Sequence, residues 1–122
     1  MKLFLILGAV NGFLAVALGA FGAHGLEGKV SEKSLGQWEK AVNYQMFHTM
    51  ALFITGLLMS KLQTGIMSGA GWFFFIGILL FSGSLYIYAV SSIKMFAMIT
   101  PFGGLSFLVG WILLGYAVIK GF

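Results

Sequence analysis

His48 is the side chain of this sequence best suited to chemistry. It sits in a stretch from Ala41 to Ser60 that carries no formal charge, and an imidazole can accept or release a proton near neutral pH. Counted from Lys40 at the rise of an α-helix, it lies about 12 Å inside that stretch. A neutral imidazole without partners is costly in hydrocarbon, so a hydrogen-bond partner is expected. Asn11 is the first candidate, because it has a comparable depth when counted back from His24 at the end of the preceding apolar run. Tyr44, one helical turn before His48, is the second. As glue between helices the histidine would contribute about 1 kcal/mol or less. As a functional group it would take up a proton or bind a ligand, and both readings stay open.

Other polar groups fall inside apolar sequence. Ser82-Gly83-Ser84 and Thr100-Pro101-x-Gly103-Gly104 combine hydroxyls with residues that loosen a helix. Broken helices at membrane depth are tolerated where protein or water satisfies the freed carbonyls, which is also how transporters build binding sites. The plainer reading is that the hydroxyls bond back within their own helices and the glycines allow close packing. His24 lies beside Gly22 and Gly25 at a membrane boundary. The chain has no Cys, Asp or Arg and only three Glu, all in polar segments. A zinc set of His24, His48 and Glu39 is opposed by mismatched depths, so neither a metal nor a cofactor is expected. No nucleophile elbow, phosphate loop, H-E-x-x-H motif or paired intramembrane carboxylate occurs, and an enzyme is not expected.

The elements that must position these residues are membrane spans. Four stretches lack charge, Leu3 to Leu26, Ala41 to Ser60, Leu62 to Ile93 and Met95 to Ile119, and each can cross a core about 30 Å thick as a helix. With 60% hydrophobic and 8% charged residues the chain has too little polar surface to be a water-soluble globule. The expected fold is all-α: a compact four-transmembrane-helix bundle forming a single membrane domain over residues 1–122, with spans at about 3–23, 41–60, 70–90 and 96–119. A short interfacial helix from Val30 to Lys40 is expected between spans one and two, capped by Ser31 or Ser34, with Trp38 at headgroup level.

The spans differ in character. In the first, Gly8, Gly12, Ala15, Gly19 and Ala23 share one helical face suited to close packing, which predicts a central place in the bundle. In the second, Ala41, Tyr44, His48, Ala51 and Thr55 form one stripe, flanked by Asn43 and Gln45. The third opens with Trp72 and three Phe expected to face lipid, and Tyr86 and Tyr88 approach the far interface. In the fourth, Pro101 removes an amide donor, so a kink or a late helix start is expected.

The net charge of +4 comes from seven scattered lysines, a pattern suited to lipid headgroups and not to nucleic acid. Lysines do not resolve orientation: Lys2, Lys61 and Lys120 share one side, and Lys29, Lys33, Lys40 and Lys94 the other. Lys2, an apolar run and small residues near Ala20 also fit a signal peptide, but the run is long and three more spans follow, so the segment is expected to be retained.

Several motifs together resemble a known family: Gly19-Ala20-Phe21-Gly22-Ala23-His24-Gly25, Tyr44-x-x-x-His48 followed by Ala51-Leu52, Ser82-Gly83-Ser84-Leu85-Tyr86, Thr100-Pro101-x-Gly103-Gly104, and Gly110-Trp111. In this order they resemble the YwdK/YgdD-like four-span membrane proteins of bacteria, domain of unknown function 423, across nearly the whole chain. The resemblance implies a multi-pass protein of the bacterial inner or plasma membrane, and it carries no activity, substrate or cofactor. It marks His24, Tyr44, His48, Ser82, Ser84, Thr100, Pro101, Gly103 and Gly104 as motif positions. Two functions remain open. One is a non-enzymatic structural, interaction or lipid-binding bundle, partnered by membrane lipid, a second copy or a larger membrane protein. The other is a minimal oligomeric transporter or channel for a small solute or ion, built around His48.

Overall fold

Hydrocarbon offers backbone amides and carbonyls no water, so a chain this apolar satisfies its main chain inside its own helices. The computed structural model describes residues 2–62 and 65–122, and all regular structure among them is helical. The order is α1 (Lys2–Phe21), a π-helical turn π1 (Gly22–Leu26), α2 (Glu32–Leu58), α3 (Gly65–Gly77), a π-helical segment π2 (Ile78–Gly83), α4 (Ser84–Ser91) and α5 (Lys94–Gly121). α3, π2 and α4 run on as one helix. Gly28 turns the chain after π1 at φ 83°, a conformation that costs glycine little, and Ser92 ends α4 at φ 58°.

Three helical stretches are long and apolar enough to cross a membrane: Lys2–Leu26, Gly65–Ser91 and Lys94–Gly121. The stretch that answers to the expected third span begins at Gly65, earlier than the expected 70, and part of the turn expected before it, Gln63 and Thr64, lies outside the described residues. α5 is continuous from Lys94 through Pro101, so the late start expected there does not occur.

α2 is less apolar because it carries charges at its start and Asn43, Gln45 and His48 farther in. The separate interfacial helix is absent: Glu32 to Lys40 are the opening turns of α2 itself. Ser31 caps that start, its hydroxyl accepting from the Ser34 amide at 3.1 Å. Trp38 is buried, not spread at the interface, and its indole donates to the Leu18 carbonyl at 2.8 Å. Together with Leu26, Val42 and Ala89 it forms a small core that holds the first turns of α2 in line with the rest.

Two seams of glycine fix the register. Between antiparallel α1 and α2, a Cβ at Gly8 would lie 3.1 Å from the Phe53 ring, one at Gly12 3.5 Å from Thr49, and one at Gly19 3.3 Å from Val42. A Cβ at Gly22 would strike the Trp38 indole. Each bare backbone on α1 thus receives a side chain from α2, and the pairs step in opposite directions. The second seam joins α3 and π2 to α5: Phe107 lies on Gly77, Phe74 on Gly110, and Gly103 abuts the backbone of Phe81. In lipid such close approach, not hydrophobic exclusion, holds helices together.

These seams correct two expectations. α1 is peripheral, packed almost wholly on α2, while α2 touches α1, α3, π2 and α4 and is the central helix. Glycines on one face of α1 provide one tight neighbour, not several. In the aromatic run, Phe74 is fully buried in the main core with Leu52, Met67 and Phe107, Phe75 is half-buried against that core, and only Trp72 and Phe73 are exposed.

Candidate functional site

His48 points from α2 toward α5, and both ring nitrogens are engaged. Nδ1 lies 2.8 Å from the Tyr44 carbonyl, and the Trp111 indole N–H donates to Nε2 at 3.0 Å. A carbonyl only accepts and an indole N–H only donates, so the ring is neutral with its hydrogen on Nδ1. The imidazole stacks on Phe107 at 3.5 Å between centroids and 7° between planes. It is 3% exposed. A proton arriving at Nε2 would have to displace the indole, so this arrangement holds the ring as a fixed packing and hydrogen-bonding element.

Around His48 lies a groove of about 730 Å³ between α2 and α5, lined also by Tyr44, Phe47, Phe81, Pro101, Leu105 and Trp111. Phe47 and Leu105 are exposed at its rim, so it opens sideways on the outer surface. The Tyr44 ring packs on Phe81 at 4.4 Å, and its hydroxyl finds no hydrogen-bond partner among the described residues. Gly104 leaves the groove floor open next to Pro101.

Asn11 does not meet His48. Its Nδ2 donates to the Leu7 carbonyl at 2.8 Å, and its Oδ1 accepts from Gln45 Nε2 at 3.0 Å. Tyr86 in turn donates to Gln45 Oε1 at 2.7 Å. Gln45 is therefore the hub of a chain joining α1, α2 and α4. Residues three apart on a helix point about 60° apart, which sends Gln45 toward α1 and His48 toward α5. The signal for Gln45 lay in the glycine face: laid antiparallel on the second span, it sets Asn11 near Gln45 and Thr49.

The serines cross between helices. Ser82 is wholly buried and donates from π2 to the Ala41 carbonyl at 2.7 Å. Ser84 and Thr100 pair at 2.6 Å, linking α4 to α5 one turn from Gly103. Ser106 donates to the Phe73 carbonyl at 2.7 Å. Thr49 and Thr55 bond back to carbonyls in their own helix. His24 is exposed in π1, away from all of these groups. The expected polar positions thus divide into a His48 groove, an Asn11 chain and a Ser84–Thr100 clip.

The model of the family described as "Protein of unknown function (DUF423)" matches residues 18–104. The chain belongs to the DUF423 family. Similar proteins within it are the UPF0382 membrane protein YwdK of Bacillus subtilis strain 168, 51% identical over 98% of both chains, and a UPF0382 membrane protein of Staphylococcus aureus strain bovine RF122, 52% identical over 98% of both. A UPF0382 membrane protein of Staphylococcus haemolyticus is 50% identical over the same share. No solved structure gives a significant match. The DUF423 match takes in π1, all of α2, π2, α4 and Gly103, so it covers His48 and Gln45 but not Asn11 or Trp111. This DUF423 chain is a membrane protein.

Proposed function

We propose that this chain is a four-span, non-enzymatic protein of the cell membrane, with α2 as the fourth span, and that it binds an acyl chain of a membrane lipid in the groove between α2 and α5. The observation that carries this reading is the groove itself: about 730 Å³, apolar in its walls and open sideways. At one end stands the unpartnered Tyr44 hydroxyl, about 6 Å along α2 from Lys40. That end supplies a donor for a glycerol ester and a cation for a phosphate, and hydrocarbon walls follow inward. The neutral, doubly bonded His48 supports a binding surface over an acid–base centre. The transport reading has less support, because Asn11 and His48 serve separate contacts and line separate grooves.

The test is photolabelling in native-like vesicles with a phosphatidylglycerol bearing a diazirine in its acyl chain. Labelling is expected to concentrate on Leu105, Leu108 and Phe47 over Val16, which is equally exposed on α1. Gly104→Trp, which fills the groove floor, should abolish that preference. Uniform labelling of all four positions, unchanged by Gly104→Trp, would sink the reading.

A further inference from the structure

A second groove, of about 310 Å³, lies between α1 and the helix formed by α3, π2 and α4. Its walls are apolar, with Leu7, Leu14, Phe75 and Ile78 among them, but Asn11 and Gln45 also line it. Both amides are buried, at 4% exposure each. A primary amide carries two N–H donors. Asn11 Nδ2 uses one on the Leu7 carbonyl, and Gln45 Nε2 uses one on Asn11 Oδ1. Among the described residues neither nitrogen has a second acceptor. Two donors are therefore left over in an apolar cleft, where unmet hydrogen-bonding capacity is expensive.

Depth decides what can meet them. Along α1, Asn11 lies about 13 Å from Lys2, close to the midplane of a core about 30 Å thick. Glycerol esters of phospholipids stay at the interface, well above that level. The acceptor must belong to an apolar molecule that carries a carbonyl to the bilayer centre. We infer that the groove between α1 and π2 binds an isoprenoid-type quinone, with one ring carbonyl accepting from the Asn11 and Gln45 amides and the tail leaving between Leu14 and Leu79. Ser82 and Tyr86 also border the groove, but their hydroxyl hydrogens are committed to Ala41 and Gln45. The site is separate from the groove of α2 and α5, and it stands or falls alone.

The experiment uses the full chain in lipid nanodiscs titrated with decylubiquinone, with decylbenzene as the probe lacking a carbonyl. Saturable binding of the quinone is expected, with its infrared carbonyl band moved to lower frequency, and no saturable binding of decylbenzene. Asn11→Leu should weaken quinone binding about tenfold, the loss of one hydrogen bond. Leu79→Trp, at the exposed rim and clear of the amides, should abolish it while leaving acyl-chain labelling of Leu105 unchanged. Should Asn11→Leu fail to fold, Leu79→Trp and the carbonyl band still decide. An unshifted band, equal binding of decylbenzene, or indifference to Leu79→Trp would overturn the inference, and would mean that water alone meets the spare donors.

Discussion

At the scale of residues, polar groups inside a membrane protein are defined by their partners, and here partners were harder to read than positions. His48 and Asn11 stood out from sequence because each interrupts apolar surroundings. Their pairing with each other did not follow, since 60° of helix azimuth separates Gln45 from His48 and no linear spacing says which neighbour each direction faces. Trp111, legible in the sequence only as part of the Gly110-Trp111 motif, is the donor to His48. Trp111→Phe keeps an aromatic ring beside Phe74 but is smaller than indole, and it removes the N–H, leaving Nε2 unmet. Interhelical hydrogen bonds in membranes contribute about 0.6 kcal/mol on average, so a loss of about 1 kcal/mol is expected. Unfolding in mixed micelles would measure it. In His48→Leu with Trp111→Phe the two losses should not add, because one bond is removed only once. Full additivity would mean that the two side chains are not coupled.

At the scale of elements, the apolar stretches announced helices by length alone, and three of them appear as continuous spans. What composition could not show was the π-helical segment π2, because Ile78 to Gly83 has no residue whose chemistry demands the wider turn. Packing supplies a reason: Gly103 of α5 abuts the Phe81 backbone, while Ser82 reaches α2 and Ser84 reaches Thr100. One extra residue per turn lets this short stretch face both neighbours. The adjacent glycines of α5 provide the test. A Cβ at Gly103 would collide with main-chain atoms that cannot swing aside, whereas one at Gly104 would sit 4.0 Å from the Phe81 ring. Gly103→Ala is therefore expected to cost about 2 kcal/mol or more, and Gly104→Ala to stay within about 0.5 kcal/mol of the parent. Thermal unfolding of the two purified variants, followed by circular dichroism, makes the comparison. Equal stabilities would show that α5 and π2 do not meet backbone to backbone.

At the scale of the whole molecule, the least apolar helix occupies the centre. α2 carries His48, Gln45 and Thr49 where α1, α3, π2 and α4 surround it, and the more apolar α1 and α5 lie outside. Lipid rewards this order, because polar groups cost least where other helices can bond them and apolar faces cost nothing against acyl chains. The same order makes α2 weak as a span by hydropathy, and the proposed four-span topology requires it to cross. Its length of 27 residues gives a helix of about 40 Å, enough to cross the core with its charged first turns left in the headgroups. The absence of cysteine allows a direct measurement. If α2 crosses, Lys29→Cys before it and Lys61→Cys after it will react with an impermeant maleimide from opposite faces of sealed vesicles, and Lys94→Cys will follow Lys29→Cys. The face that labels first in right-side-out vesicles also fixes the orientation that three lysines against four leave undecided. Labelling of Lys29→Cys and Lys61→Cys from one face would remove α2 from the membrane, and with it the lipid groove that α2 shares with α5.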